Sequence, residues 1–208
     1  MMPFSRLEVE FFDQLKVMDE QLSAAVAAAR CPHCRGPLHR ANYARKPRGG
    51  LLCGSGEGAY LRHSLCCGKR GCRKRTLPPS LRFLGRRVYL GAVVVIASAM
   101  ALLQTGLREA SNASGVPMRT LLGWGAWWTN DFARSVAWAE LRARFASPAP
   151  NESMLPLSML DRVHSMQGRD PPLAKTMTAM ARHLAVVTTR FAQTTRFVRD
   201  VFTHSSTA

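Results

Sequence analysis

The spacing of apolar residues along the chain predicts a protein built mainly of helices. In residues 4–29 apolar side chains recur every three or four positions, which is the period of one helix face, and an alanine-rich run follows. Residues 88–103 are sixteen uncharged, mostly apolar positions, fewer than the roughly 20 that cross a bilayer. We therefore predict a buried helix there, with a short membrane anchor behind Arg86 and Arg87 as the alternative.

Shorter periodic segments then predict a helix-turn-helix. Residues 107–114 and 118–128 predict two helices that are joined by a turn at Gly115. On the second helix we expect Arg119 and Thr120 to face a groove of DNA. Three apolar residues are expected to pack inward: Val116, Leu121 and Trp124.

The remaining segments predict further helices and the boundaries between regions. Residues 132–145 predict an amphipathic helix, 157–166 a short helix and 173–202 a long basic helix, with a proline-rich break after the first of them. We divide the chain into four regions: an N-terminal helix (1–30), a basic zinc-ribbon-like module (31–80), a helical domain with the helix-turn-helix (81–147) and a C-terminal helical region (148–208).

All six cysteines lie in one stretch near the N-terminus, which predicts a metal site. Cys31 and Cys34 are spaced as Cys-x2-Cys, so one tight turn supplies two of the four soft ligands that Zn²⁺ prefers. The second pair is expected from Cys72 together with Cys66 or Cys67. Neighbouring residues of a strand point to opposite faces, so only one of these two is expected to bind, and the sequence leaves the choice open.

The other cysteine and the nearby histidines are expected to stay outside this site. Cys53 lies in a glycine-rich loop, and His33, His39 and His63 flank the cysteines. Four cysteines complete a tetrahedral structural site and leave no open coordination position. The expected cofactor is therefore structural Zn²⁺, and the expected fold class is mainly α with a small β zinc ribbon near the N-terminus.

Positive charge is concentrated around the cysteines. Fifteen of the 29 Lys and Arg lie between Arg30 and Arg87, against the single acid Glu57, and the whole chain has a net charge of +16. So many like charges repel one another unless a polyanion offsets them, and the arginine fork fits phosphate oxygens. Besides Arg119 and Thr120, we expect these residues to bind nucleic acid: Arg45, Lys46, Arg48, Arg62, Lys69, Arg70, Arg73, Lys74, Arg75, Arg86 and Arg87.

The composition argues against a disulfide scaffold and against a secreted protein. Six cysteines are too few for such a scaffold in 208 residues. Residues 1–30 contain acids and no cleavable apolar segment, so we expect no signal peptide and a reducing compartment. We also expect no enzymatic activity, because the acids after residue 117 fall on predicted helices and loops, without a sheet that would present them to catalytic metal ions.

Two motifs resemble the DNA-binding region of bacterial insertion-sequence transposases. Cys31-Pro32-x-Cys34 with Arg62-x3-Cys66 and Cys72-Arg73-Lys74 is similar to the N-terminal zinc ribbon of that family. Ser114-Gly115-Val116-Pro117-x2-Thr120-x3-Trp124 is similar to the helix-turn-helix that follows the ribbon there. The resemblance covers residues 31–145. The second cysteine pair departs from it by a spacing wider than Cys-x2-Cys, and we find no counterpart of the family's catalytic domain.

The resemblance implies a small bacterial DNA-binding protein, cytoplasmic and associated with the nucleoid, that serves a mobile element as an accessory or regulatory factor. DNA is the expected partner. The alternatives are structured RNA in a ribonucleoprotein and, from another class, a membrane-anchored zinc-ribbon protein with its span at 88–103. Partnership with a transposase and a homodimer are left open.

Overall fold

Helices and short strands are distributed over two compact units of the chain. A computed structural model describes residues 7, 9–45, 60–84, 89–103, 106–145, 147–169 and 171–185. One unit contains residues 9–45 and 60–84, and the other contains the described residues of 89–183. The described part is mainly helical, with small antiparallel sheets, as predicted: α1 (Val9–Ala28), β1 (Leu38–Arg40), β2 (Tyr43–Ala44), β3 (Leu61–Arg62), β4 (Leu65–Cys67), β5 (Arg75–Thr76), α2 (Gly91–Ala101), α3 (Gly106–Ser114), α4 (Met118–Ala126), α5 (Val136–Arg142), α6 (Leu157–Ser165) and α7 (Leu173–Leu184).

The helix α1 provides much of the apolar core of the first unit. It buries Phe11, Leu15 and Leu22, which belong to the predicted stripe, and it packs against β1. After its last turn Arg30 takes a φ of 64°, the left-handed conformation that commonly ends a helix. The chain therefore leaves α1 directly into the first cysteine, Cys31.

The strands β1 to β4 form two antiparallel pairs in the first unit, which we call the ribbon unit. β1 pairs with β4 and β2 pairs with β3, and Asn42 and Ser64 lie between the two pairs. There the Asn42 side-chain oxygen accepts a hydrogen bond from the backbone N–H of Ser64 at 3.1 Å, which replaces a strand partner. β5 pairs with the other edge of β4 and completes a three-stranded sheet in the order β1-β4-β5.

A buried ion pair ties α1 to the segment that follows β5. Asp19 Oδ2 lies 2.9 Å from Arg82 Nε, and neither side chain is exposed. The Asp19 carboxylate also accepts hydrogen bonds from Ser80 Oγ and from the backbone N–H of Leu81, both at 2.6 Å, while Arg82 donates to the carbonyl of Leu61 at 2.8 Å. These bonds compensate the buried charges. The helix that we assigned to a region of its own is thus part of the ribbon unit.

The second unit, which we call the helical unit, is built around α2. All residues from Gly91 to Ala99 are buried, and α2 packs against α3, α4 and α6. The predicted buried helix is confirmed, although its 11 residues are fewer than the segment 88–103. Within the ranges that the structure describes, no helix has both the length and the apolar character needed to cross a membrane.

A glycine turn joins α3 to α4, as predicted. Gly115 has a φ of 64°, and Ser111 Oγ donates a hydrogen bond to the carbonyl of Val116 at 2.7 Å across the turn. α4 begins after Pro117, whose carbonyl accepts a hydrogen bond from the N–H of Thr120 at 2.8 Å. The three residues expected to pack inward, Val116, Leu121 and Trp124, are all buried.

The helix predicted over residues 132–145 is shorter in the structure. α4 continues into a π-helical segment, Trp127–Phe132, and α5 begins only at Val136. The reason is Ser135, whose Oγ donates to the carbonyl of Phe132 at 2.7 Å and accepts from the N–H of Trp138 at 3.1 Å. This side chain closes one turn and caps the next helix.

The last described helices belong to the same unit as α2. α6 packs against α2, and Glu152 Oε1, in a short 3-10 turn, accepts hydrogen bonds from Trp138 Nε1 at 2.8 Å and from Arg142 at 2.9 Å. The predicted boundary between residues 147 and 148 therefore falls inside one compact unit. α7 corresponds to the first part of the helix predicted over 173–202, and residues 186–208 lie outside the described residues.

Candidate metal centre and nucleic-acid interface

The first cysteine pair lies in a tight turn between α1 and β1. The backbone N–H of Arg35 donates to the carbonyl of Cys31 at 2.8 Å, and the N–H of Cys31 donates to the carbonyl of Gly36 at 3.0 Å. Arg35 has a φ of 58°, which turns the chain back toward β1. The Cys-x2-Cys spacing thus forms the compact turn that the sequence predicted, with both thiols in one group.

The second cysteine pair comes from the end of β4 and the turn before β5. The N–H of Cys67 donates to the carbonyl of Lys74 at 3.0 Å, and the N–H of Cys72 donates to the carbonyl of Lys69 at 3.2 Å. Gly71 and Arg73 take left-handed φ values of 84° and 46°. The wider spacing of this pair is therefore accommodated by a loop that folds back on itself.

Four sulfur atoms converge where the two turns meet. The Sγ atoms of Cys31, Cys34, Cys67 and Cys72 all lie within 4.8 Å of one another. The Cys34–Cys67 separation is 3.4 Å, and the Cys31–Cys72 separation is 3.8 Å. A tetrahedron of thiolates with Zn–S bonds near 2.3 Å has S–S edges of about 3.8 Å. The group thus has the donor type, number and spacing of a metal-binding site.

The strand register answers the question of Cys66 or Cys67. Cys67 pairs with Leu38, is fully buried and belongs to the sulfur group. Cys66 pairs with His39 on the opposite face, and its Sγ lies 3.5 Å from the carbonyl oxygen of Arg73. The structure therefore places Cys66 outside the group, although the sequence kept it as a candidate ligand. Cys53 lies outside the described residues, and the group contains no histidine.

The thiols of this group differ in acidity. Burial raises the pKa of the Cys31 thiol, but hydrogen bonds from the backbone N–H groups of His33 and Cys34 and from the thiols of Cys34 and Cys72 lower it to about 7. The N–H of Lys74 lowers the pKa of the Cys72 thiol, but burial and the thiols of Cys34 and Cys31 outweigh it and the pKa is raised. Cys31 is therefore close to releasing its proton at neutral pH, as metal binding requires.

Gly36 provides space beside the sulfur atoms. A Cβ atom at this position would lie 3.2 Å from Cys67 Sγ, 3.3 Å from Cys34 Sγ and 3.0 Å from Lys69 Cβ. The φ of Gly36 is outside the left-handed region, so backbone conformation alone does not require a glycine. The close approach of the two cysteine turns favours a glycine, because a Cβ atom would fit only if its neighbours moved.

An arginine follows the second cysteine of each turn in a conformation that favours glycine. Arg35 and Arg73 have φ values of 58° and 46°, and both side chains are exposed. A side chain in the left-handed region costs about 1–2 kcal/mol. Each cysteine turn thus carries a positive charge at a position where glycine is the less strained residue.

Five exposed cations lie in or beside the second cysteine turn. They are Lys69, Arg70, Arg73, Lys74 and Arg75, and we call them the basic turn surface. No ion pair with another described residue neutralises them. The hydrogen bonds that close the turn, from the N–H groups of Cys67 and Cys72, end on the carbonyls of Lys74 and Lys69. The backbone that positions the sulfur group is therefore the backbone that carries these cations.

Arg62, which we predicted to bind nucleic acid, is a buried structural residue instead. Its side chain is 3% exposed and donates hydrogen bonds to the carbonyls of His63 at 3.2 Å and Pro78 at 2.6 Å. Burial lowers the pKa of its guanidinium. Arg45 is half-buried, and its guanidinium lies 5.3 Å from the centroid of the Phe83 ring. Four predicted contacts lie outside the described residues: Lys46, Arg48, Arg86 and Arg87.

The helix α4, which we predicted to contact DNA bases, exposes both charged and apolar side chains. Arg119 is exposed and Thr120 is half-buried on α4. Met118 and Leu122, which we did not single out from the sequence, are 44% and 62% exposed. They are four residues apart, so they lie on one helix face. This spacing is the feature of the sequence from which they could have been found. The exposed side of α4 therefore combines one cation with two large apolar side chains.

A comparison of the chain with protein-family models, curated proteins and solved structures finds no match. The similarity to insertion-sequence transposases therefore rests on the motifs quoted above, and a function has to follow from the metal centre and the charged surface around it.

Proposed function

We propose that the chain is a DNA-binding protein with a structural Zn²⁺ ion held by Cys31, Cys34, Cys67 and Cys72. The observation that carries this proposal is the position of the basic turn surface, whose cations lie on the same loop that closes the sulfur group. A bound metal fixes that loop, and the loop fixes the spacing of the cations. Cations held in this way can bind the phosphates of nucleic acid without a further entropy cost for ordering the loop that carries them.

In the helical unit we assign base reading to α4, the second helix of the proposed helix-turn-helix. Arg119 is exposed on this helix, and an arginine fork matches the N7 and O6 acceptors of guanine in the major groove. The exposed Met118 and Leu122 suit contact with thymine methyl groups. The similarity to transposases supports an accessory or regulatory function at a mobile element, in the cytoplasm of a bacterium.

Metal content tests the first half of the proposal. We expect about one zinc per chain purified under reducing conditions, measured by elemental analysis. Cys67→Ser is expected to lose the metal, whereas Cys66→Ser serves as a matched control because its thiol lies outside the group. Equal zinc loss in both variants, or wild-type chain without zinc, would contradict the assigned site.

The salt dependence of duplex binding tests the second half. Each phosphate contact contributes about −0.9 to the slope of log K against log salt, so five contacts predict a slope of roughly −4.5. Arg70→Ala is expected to reduce its magnitude by about 0.9. Arg169→Ala removes an exposed arginine of the helical unit and is the control. Zinc binding without DNA binding refutes the proposal. Tighter binding of structured RNA than of duplex DNA would show that the partner is RNA.

Sequence preference tests the assignment of α4. We expect Arg119→Ala to relax the preference among duplexes selected from a random pool, at a cost of about 1–3 kcal/mol on the preferred site. Arg119→Lys keeps the charge but loses the two-pronged hydrogen bond, so it should restore affinity more than preference. If Arg119→Ala left both affinity and preference unchanged, α4 would not be the reading helix.

A further inference from the structure

The outer face of the three-stranded sheet carries a row of side chains that the proposed function does not yet use. His39 on β1 pairs with Cys66 on β4, and Cys66 pairs with Arg75 on β5. Residues directly opposite each other on antiparallel strands project from the same face. The alternate residues of β4, Leu65 and Cys67, are buried on the other face. The row His39–Cys66–Arg75 therefore faces outward, with His39 and Arg75 exposed.

Two planar groups of this face are held in place by their neighbours. The His39 ring lies against the backbone of Gly68, so closely that a Cβ atom at residue 68 would overlap it. At the other end of the row, the guanidinium of Arg75 lies over the ring of Tyr43, 5.8 Å from its centroid. An imidazole ring and a guanidinium plane are thus presented together, with less freedom than exposed side chains on a loop.

The charges around this row suit a polyanion. Arg73 and Lys74 precede Arg75 and are exposed, and Lys69 and Arg70 are exposed in the same turn. Planar side chains on a sheet, bordered by cations, are the combination with which proteins bind unpaired nucleotides: the cations follow the backbone and the planes stack on the bases. A duplex hides the faces of its bases, so phosphate binding alone would use the charge of Arg75 but not the planar faces of the His39 ring and the Arg75 guanidinium.

We propose that the outer face of the ribbon sheet binds unpaired nucleotides of single-stranded DNA by stacking, through His39 and Arg75 above Tyr43. This inference rests on the proposed function and assigns its ribbon surface a substrate class. Four-stranded sheets that bind RNA in a similar way stack two or three bases, so the present three-stranded sheet has room for about two. In the strand register Cys66 lies between the two planar groups.

The test separates base stacking from phosphate binding in the full-length, zinc-loaded chain. The probes are an oligothymidine of about 12 nucleotides and an abasic oligonucleotide of the same length, which keeps every phosphate. Stacking of one base predicts that the abasic probe binds about 5- to 150-fold more weakly in fluorescence anisotropy at fixed salt, and stacking of a second base predicts a larger factor. Equal binding of the two probes would overturn the proposal.

Variants then locate the effect on this face. Arg75→Lys keeps the charge and loses the plane, so we expect oligothymidine binding to weaken about 5-fold or more while abasic binding is unchanged. His39→Ala should act in the same way, and His39→Phe should restore binding because it returns a ring. Arg70→Ala is the phosphate control and should weaken both probes equally. Zinc content and circular dichroism identify any variant that fails to fold.

The outcomes distinguish this inference from the proposed function. If duplex DNA binds with the expected salt dependence but removal of the bases has no effect, only the stacking proposal fails. If no DNA of any form binds, both fail together. If Arg75→Lys weakens both probes equally, Arg75 is a phosphate contact, and the stacking proposal is overturned. Tighter binding of an oligouridine RNA than of oligothymidine would also overturn the assignment to DNA.

Discussion

Replacement of Asp19 by alanine is expected to destabilise the ribbon unit strongly. The carboxylate is fully buried and accepts hydrogen bonds from Ser80 Oγ, from the backbone N–H of Leu81 and from Arg82 Nε. Its removal leaves a buried guanidinium without a counter-charge, which costs about 3–5 kcal/mol. Small domains are stable by only about 5–15 kcal/mol, so Asp19→Ala should remove a large part of the stability of this unit.

A double-mutant cycle with Arg82→Met shows whether the ion pair is the cause. The double variant contains neither buried charge, and replacing a buried pair by apolar residues is often neutral or even stabilising. The two substitutions together should therefore cost less than the sum of the single ones, by at least about 2 kcal/mol. Additive losses would mean that the two side chains contribute independently.

The assay must follow the ribbon unit and not the rest of the chain. All four tryptophans, Trp124, Trp127, Trp128 and Trp138, lie in the helical unit, so their fluorescence does not report on the ribbon. Urea-induced zinc release is suitable, and it is measured at a fixed free-zinc concentration because bound metal itself adds stability. An Asp19→Ala loss below about 1 kcal/mol would refute the reasoning.

Three further predictions concern single residues. Gly36→Ala should weaken zinc binding by about 1–3 kcal/mol, because the added Cβ would press on Cys67 Sγ and Cys34 Sγ. Zinc affinity is measured by chelator competition. The control is Gly123→Ala on α4, where a Cβ has open space, and it should leave zinc affinity unchanged. Gly123→Ala should in addition stabilise the helical unit by up to about 1 kcal/mol in tryptophan-detected unfolding, and a destabilisation would show that α4 needs a glycine there. Burial, and secondarily Arg144, lower the pKa of His183 in the folded state, so the unfolded chain takes up the proton first and stability is lost as pH falls below about 6.5. His183→Gln should reduce this loss between about pH 7 and pH 5, and an equal loss in both proteins would contradict the assignment.

Local patterns predicted the elements, whereas long-range pairing decided the details of the site. The Cys-x2-Cys spacing identifies Cys31 and Cys34 without a structure, because both ligands belong to one turn. The choice of Cys67 over Cys66 depends on the pairing of β4 with β1, in which Cys67 lies opposite Leu38 and Cys66 lies opposite His39. The cap at Ser135 is a local signal that was present in the sequence and that shortens the predicted helix 132–145.

Burial of charged residues was the hardest feature to predict. Asp19 lies on α1 between residues that fit an ordinary amphipathic helix, and its partners follow 61 to 63 positions later in the chain. Arg62 is one of many arginines in a basic stretch, and only the carbonyls of His63 and Pro78 distinguish it from those on the surface. Composition gives the sign of the net charge, but it does not show which of the cationic side chains are buried.

The left-handed arginines of the two cysteine turns have a consequence for protein engineering. Arg35→Gly and Arg73→Gly together should relieve about 2–4 kcal/mol of backbone strain while leaving all four sulfur atoms in place. The same change removes two positive charges beside the sulfur group, so thermal stability should rise while the proposed affinity for nucleic acid should fall. A chain with glycine at both positions would be a more stable module with weaker non-specific binding of polyanions, and a scaffold suited to functions unrelated to nucleic acid.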